Sequence, residues 1–170
     1  MGDLALGLQW RYLRGGPLGF DQAVQVTRKF PTAGERSGLG TGSADDTLGI
    51  FFSRDIAENH VDINLLETWL GRPADHGGGR FDVSEATLSV SHNLTQAWSF
   101  GGELYGIGGS ALGDRIVSTL WYVAYKPSSR LVLDAGFEIG LSHGAPQYNL
   151  FVGLTWGIGR FYHPGPRSST

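Results

Sequence analysis

Residues that could bind or react with a solute recur at alternate positions along this sequence. They include carboxylates, amides, a histidine and arginines, which can orient polar solutes, pair with one another or transfer protons. The candidates are Gln9, Arg11, His60, Asp62, Asn64, Glu85, Glu103, Arg130, Asp134 and Glu138. Because alternate side chains of a β-strand point to the same side of a sheet, we expect these residues to line one interior face, chiefly as a mutually satisfied polar lining.

The spacing of these groups argues against catalysis. Asp134 and Glu138 share a face of the eighth predicted strand, but strand rise separates them by about 13 Å, too far for the two carboxylates of a glycosidase. Ser91 and His92 are adjacent in sequence and would point to opposite faces of a strand, so they do not form a nucleophile and base pair. We therefore predict no catalytic residues and no enzymatic activity.

Metal and cofactor sites are also not predicted. His76 lies in a glycine-rich segment and would need ligands from other loops to hold a metal ion. The GLGTGS segment at 38–43 lacks the Gly-Lys-Ser or Gly-Lys-Thr ending and the helix of a phosphate-binding loop. The glycines there are explained more simply by loop flexibility, and we predict no cofactor.

The elements that must position the polar residues are strands with one apolar side. The clearest example is the last predicted strand, in which the side chains at even positions are apolar and those at odd positions are mostly small or polar. Its apolar members are Tyr148, Leu150, Val152, Leu154, Trp156 and Ile158. Alternation of this kind, with aromatic residues near the strand ends, is typical of the wall of a membrane barrel that turns its apolar side to lipid.

The same alternation predicts about nine antiparallel strands, which gives an all-β, up-and-down transmembrane β-barrel. The predicted strands are 3–14, 18–30, 46–54, 59–70, 81–92, 96–107, 115–126, 130–143 and 148–162. Bacterial barrels have even strand numbers, so we expect these strands to belong to a larger barrel whose upstream strands and signal peptide are missing from this chain. The predicted domain is 1–162, followed by a disordered C-terminal tail at 163–170.

Composition agrees with this class. The chain has 170 residues with 27 glycines, 12% aromatic and 17% charged residues, and it has no cysteine. Its net charge of -3 and unclustered Lys and Arg give no reason to expect nucleic acid as a partner. The sequence contains no apolar run long enough for a transmembrane helix. The predicted partners are outer-membrane lipid and a small-molecule solute.

Aromatic residues on the apolar parity form a second group. They are Trp10, Trp98, Trp121, Tyr125, Tyr148 and Trp156, which we expect to form girdles at the membrane interfaces.

Short turns and longer loops largely alternate along the chain. In outer-membrane barrels the short turns are periplasmic and the longer loops are external, so this pattern predicts the orientation of the sheet.

Spaced motifs carry a resemblance to a known family. The motifs are the Lys29, Pro31 and Thr32 step, the Asp62, Asn64 and Leu65 pattern, and the terminal set Asp134, Gly136, Gly140, Leu141 and Pro146. Through these motifs the chain resembles the bacterial outer-membrane barrel proteins named for the MetA pathway of phenol degradation, which are also described as transporters. The resemblance covers nearly the whole chain. The resemblance implies a bacterial outer-membrane location and uptake of small, aromatic or hydrophobic molecules, without catalytic residues.

Two alternatives fit part of the pattern. One is a soluble, lipocalin-like barrel in which the apolar parity faces a ligand cavity and the polar parity faces water. The other is an outer-membrane lipid-modifying enzyme, which would need a serine, a histidine and an acid to converge near the barrel rim.

Overall fold

The chain forms one antiparallel sheet of nine strands arranged in sequence order in the computed structural model. The structure describes residues 2–33, 38–73, 77–110 and 112–158. The strands are β1 (Leu4–Leu13), β2 (Asp21–Phe30), β3 (Asp45–Ile56), β4 (Asn59–Gly71), β5 (Arg80–Asn93), β6 (Trp98–Gly108), β7 (Ile116–Ser128), β8 (Leu131–Gly140) and β9 (Tyr148–Trp156). The predicted all-β, up-and-down architecture is confirmed. The predicted tail at 163–170 lies outside the described residues.

The boundaries of β8 differ from the prediction. The strand begins at Leu131 and ends at Gly140, so Arg130 lies in the turn at 129–130 and His143 in the connection to β9. The prediction that Arg130 projects from a strand is therefore wrong. The physical reason is an irregularity between Tyr125 and Ser128 that carries β7 further than its alternation suggests and leaves only a tight turn.

Cross-strand register defines two faces of the sheet, because directly paired residues point to the same side. On one side Leu8 pairs with Val26, and Val26 pairs with Leu48. We call this side, which also carries Trp121 and Val152, the apolar face. The opposite side, which carries Gln9, Asp62, Glu103 and Glu138, we call the polar face.

The two faces differ in exposure. Gly49, Thr87, Gly101, Ser118 and Glu138 are buried, and all of them lie on the polar face. In contrast, on the apolar face of β9, Leu150 is 80% and Val152 is 86% exposed. Within the described ranges no large apolar side chain is buried. Side chains converge on the concave side of a curved sheet and diverge on the convex side, so this distribution indicates that the polar face is concave.

Aromatic rings lie close over glycines on the polar face. Gly101 and Gly136 flank Tyr122 in the register, and Gly136 pairs in turn with Phe151. A Cβ atom built on Gly101 would lie 2.6 Å from Tyr122 Cζ, and one on Gly136 would lie 2.5 Å from Phe151 Cζ. The absence of a side chain on each glycine therefore makes room for the neighbouring ring.

The two ends of the sheet have different connections. One end has the tight connections 57–58, 94–97 and 129–130, together with 14–20, which contains a 3₁₀ turn at Pro17–Gly19. The other end has the connections 31–44, 72–79, 109–115 and 141–147. Short and long connections largely alternate, as predicted, but 14–20 is as long as 109–115 and 141–147.

The outer edges of β1 and β9 have no strand partner among the residues that the structure describes. The sheet in those ranges is therefore open. In the residues that the structure describes, the one helical segment is the short 3₁₀ turn. No helix in those residues is long and apolar enough to cross a membrane.

Candidate functional site

The structure brings nine of the ten predicted lining residues to the polar face. Gln9 and Arg11 lie on β1, while His60, Asp62 and Asn64 lie on β4. The four carboxylates Glu85, Glu103, Asp134 and Glu138 lie on β5, β6 and β8. Each has the parity that the register assigns to the polar face. Arg130 is the exception, because it lies in a turn.

Two rows of paired residues cross the middle of this face. In the first row Asp62 pairs with Ser89 and Ser89 with Glu103, and the row continues through Leu120 to Glu138 and Asn149. In the second row Leu66 pairs with Glu85 and Glu85 with Ile107. The strands β4 to β9 therefore present carboxylates at regular lateral intervals, with serine, asparagine and apolar side chains between them.

Ion pairs hold the polar face near the short connections. Arg11 Nη1 lies 3.1 Å from Asp21 Oδ2. His60 bridges two carboxylates, with Nδ1 at 2.6 Å from Asp55 and Nε2 at 3.1 Å from Asp62. Because both ring nitrogens of His60 already contact carboxylates, neither is free to activate a nucleophile.

A second ion-paired group lies near the long connections. Lys29 Nζ is 2.6 Å from Asp45 and 3.5 Å from Asp3. Asp3 also accepts hydrogen bonds from the backbone N–H groups of Ala33 at 3.0 Å and Thr41 at 3.3 Å. The Ala33 bond is the largest of the contacts that together hold the pKa of Asp3 below its ordinary value, against the opposing effect of burial. The group ties the connection 31–44 to the start of β1.

Neutral groups surround Glu138, on β8. The Tyr105 hydroxyl donates to one carboxylate oxygen at 2.5 Å, and Asn149 Nδ2 donates to the other at 2.9 Å. The carboxylate is held by charge-assisted hydrogen bonds and, within the described ranges, makes no ion pair. These contacts join β6, β8 and β9 across the polar face.

Several residues of the site were missed by reading the sequence. They are Lys29, Asp45, Tyr105 and Ser118, all of which lie on the polar face. The signal was present for Tyr105, which shares the parity of Glu103 two positions before it. No comparable signal marks the pairing of Lys29 with Asp45, because the two residues lie on different strands and meet only through the β2–β3 register.

The six aromatic residues predicted to form girdles all lie on the apolar face. Trp98, Tyr125 and Trp156 are at or near strand ends, on the side of the short connections, and the rings of Trp98 and Tyr125 stack with centroids 4.5 Å apart. Tyr148 begins β9 at the opposite end, whereas Trp10 and Trp121 lie further inside their strands. Their position in a membrane interface stays a prediction.

The described side chains contain no group of three or more His, Cys, Asp or Glu residues arranged to hold a metal ion. Neither a comparison with protein-family models nor one with curated proteins finds a match to this chain. The family resemblance stated above therefore stays a prediction.

Proposed function

We propose that this sheet is part of the wall of a bacterial outer-membrane β-barrel and that small molecules pass along its polar face. Exposure of the apolar face carries the proposal. Leu150, Val152 and Trp156 are 80%, 86% and 69% exposed. A water-soluble protein rarely exposes so continuous an apolar surface, whereas lipid would cover it without cost.

The polar face supports the same proposal. Many of its side chains are charged or hydrogen-bonding groups that a column of water can solvate, and aromatic rings occupy the space above its glycines. A soluble barrel with an apolar cavity would place these polar groups outside. The observed distribution, in which the polar face is the more buried one, favours the membrane proposal over that alternative.

The unpaired edges of β1 and β9 indicate whether these nine strands alone can form a closed barrel. Unpaired backbone N–H and C=O groups are not tolerated in lipid, so each edge must find a strand partner in the membrane. We propose that further strands complete a larger, even-stranded barrel. The preference for aromatic or hydrophobic solutes is proposed from the family resemblance.

Transport, not catalysis, is the proposed activity. A lipid-modifying enzyme needs a serine activated by a histidine nitrogen, and both nitrogens of His60 contact aspartates. The remaining described histidine on a strand, His92, contacts Asn59 through Nδ1 and lies beside the ring of Phe100.

Reconstitution of the complete barrel, including the strands that close it, tests the proposal. We expect stepwise conductance in planar bilayers and uptake of small solutes by liposomes, measured for a neutral sugar and for an aromatic acid such as benzoate. Empty liposomes and liposomes with heat-denatured protein are the controls. Absence of both conductance and solute flux would overturn the proposal, and a monodisperse protein without detergent would favour the soluble barrel.

A further inference from the structure

A cluster of charged side chains lies on the apolar face, at the end of the sheet that carries the connections 31–44 and 72–79. Asp46, on β3, contacts an arginine on either side of it. Arg28 Nη1, on β2, lies 3.0 Å from Asp46 Oδ1, and Arg80 Nη2, on β5, lies 2.8 Å from Asp46 Oδ2. All three residues, which we call the arginine cluster, have the parity of the apolar face. Charged groups thus stand on the face that the proposed function turns to lipid.

Two arginines share one carboxylate, so the arginine cluster has a net positive charge. Each guanidinium contacts Asp46 through one terminal nitrogen, and both arginine side chains are half-exposed. A guanidinium has further N–H donors in a planar fork, which matches the oxygens of a phosphate group. The arginine cluster can therefore hold an anion while Asp46 keeps the two guanidinium groups close together.

An apolar groove of about 580 Å³ begins at the arginine cluster and runs along the same face. Arg28 pairs with Asp46 at one end of it, and Val26 pairs with Leu48 in the next row of this face toward the middle of the sheet. The apolar side chains that line the groove on this face are Leu6, Leu8, Val26, Leu48 and Trp69. The groove is therefore charged at the end nearest the connections and apolar along the rest of its length.

Trp69 flanks the charged end of the groove. It pairs with Asp46 and lies two residues before the end of β4. Tryptophan is enriched at membrane–water interfaces, where its ring meets acyl chains and its N–H group meets headgroups. The cationic end, the aromatic side chain and the apolar body together match an amphiphile with an anionic headgroup and an acyl chain.

Two other carboxylates of the apolar face have partners of their own. Glu67, on β4, accepts a hydrogen bond from the Ser84 hydroxyl at 2.5 Å. Asp82, on β5, accepts hydrogen bonds from the Ser110 N–H at 3.3 Å and from the Ser110 hydroxyl. Neither carboxylate lines the groove. Within the described ranges, Asp46 is the one acidic residue of the lining, and two arginines contact it.

From this arrangement we propose that the groove binds an anionic phospholipid, whose phosphate group contacts Arg28 and Arg80 and whose acyl chain lies over Val26 and Leu48. The inference rests on the membrane location in the proposed function and adds to it a lipid-binding site and the charge of the headgroup. Charge complementarity decides the headgroup, because a net cationic cluster beside acyl chains attracts an anionic lipid more strongly than a zwitterionic one.

The test is the affinity of the complete barrel in detergent for single lipids, measured from lipid-bound species by mass spectrometry of the intact protein. We expect dioleoylphosphatidylglycerol to bind more tightly than dioleoylphosphatidylcholine, which has the same chains and a compensating amine. Arg28→Gln and Arg80→Gln each weaken binding of the anionic lipid by about fivefold, the scale of one arginine beside an anionic lipid surface.

Arg115→Gln is the matched control for charge. Arg115 is an exposed arginine at the same end of the sheet, directly before β7, and it does not line this groove. Its substitution removes the same charge, and we expect it to leave the affinity for the anionic lipid unchanged.

Val26→Trp tests the apolar part of the groove without a change of charge. The larger side chain fills the groove, so we expect it to weaken lipid binding. Val152→Trp is its control, because it places the same side chain on the exposed apolar face of β9, outside the groove. Equal affinities of these two variants would remove the groove as the position of the acyl chain.

The outcomes separate this inference from the channel proposal. Equal affinity for the two lipids, or equal effects of Arg28→Gln and Arg115→Gln, overturns the lipid site and leaves the channel in place. The expected lipid binding without solute flux from the reconstituted barrel overturns the channel and leaves the lipid site. A barrel that is monodisperse without detergent overturns both proposals together.

Discussion

On β1 to β4 the polar-face carboxylates Asp21, Asp45, Asp55 and Asp62 lie 2.6–3.1 Å from a basic group. On β5 to β9 the polar-face carboxylates make no ion pair with another described residue, and Glu138 is held by Tyr105 and Asn149 instead. These carboxylates are Glu85, Glu103, Asp134 and Glu138. The same face of one sheet is thus stabilised by two different kinds of contact. In the ion-paired half each of those aspartates lies beside a basic group, whereas in the other half the carboxylates have no basic partner among the described residues.

This difference concerns how each carboxylate is held in place. A partly buried ion pair fixes the geometry of its own residues, because removing one partner leaves the other uncompensated. A carboxylate held by neutral donors keeps its field, because the donors stabilise the charge without cancelling it. The first three predictions below are measured as stability to urea in detergent micelles, followed by tryptophan fluorescence.

The largest expected effect is in the half without ion pairs. Gly136→Ala places a Cβ against Phe151 Cζ, at 2.5 Å, and against the Trp121 carbonyl oxygen. We expect a loss of about 1–3 kcal/mol in the free energy of unfolding, the usual cost of overpacking. Gly106→Ala is the control, since its Cβ would approach the Ile116 carbonyl oxygen only to 3.9 Å. Equal stability of the two variants would show that rings on glycines do not hold this half.

Tyr105→Phe removes the hydroxyl that donates to Glu138 at 2.5 Å. We expect a loss of about 1.5 kcal/mol, because a hydrogen bond to a charged group is lost from a buried carboxylate. The matched control is Tyr122→Phe, whose ring stays over Gly101. If the two variants unfold alike, Glu138 does not depend on its neutral donor.

Lys29→Met tests the ion-paired half. It removes the cation shared by Asp45 and Asp3, and we expect a loss of about 1 kcal/mol, because the group is partly exposed to solvent. Arg28→Met removes an adjacent cation whose side chain is 51% exposed on the apolar face, and it should cost less. Added salt should weaken the wild-type protein more than Lys29→Met. The reverse ranking would contradict a structural role for the pair.

The smallest effect concerns acid pH. The pKa of Asp3 in the folded protein is below the ordinary aspartate value of 3.8, so the folded state binds fewer protons at this site than the unfolded state. Its stabilising contribution is present above 3.8 and is lost as the pH falls through the lower folded value. Hydrogen exchange at Ala33 and Thr41 should rise in that range. Asp3→Asn should show no such rise, and persistence of the rise would assign it to another group.

Much of the fold could be predicted from the sequence because alternation is local. The predicted order of nine strands is confirmed, and the apolar parity of β9 is found on the exposed face. Boundaries were less predictable. Arg130 was expected on a strand, but the irregularity between Tyr125 and Ser128 shifts the turn onto it. A bulge adds a residue to one strand, and the alternation of polar and apolar residues in the sequence does not reveal where it lies.

The candidate site could be predicted only in part. Parity placed Glu85, Glu103 and Glu138 on one face, where the structure also has them. Parity did not reveal that Tyr105 holds Glu138, since the two residues lie on strands β6 and β8 and are separated by β7. Contacts of this kind depend on strand tilt and register, which the sequence of either strand alone does not specify.

The sequence by itself therefore determined which side chains share a face, because the two-residue period of a strand is a property of its backbone. Only the tertiary structure decided which carboxylates lie beside a basic group. Pairing of Lys29 with Asp45, and of His60 with Asp55 and Asp62, follows from the register of neighbouring strands. Opposite charges must approach within a few ångströms to pair, and that distance is set between strands rather than along them.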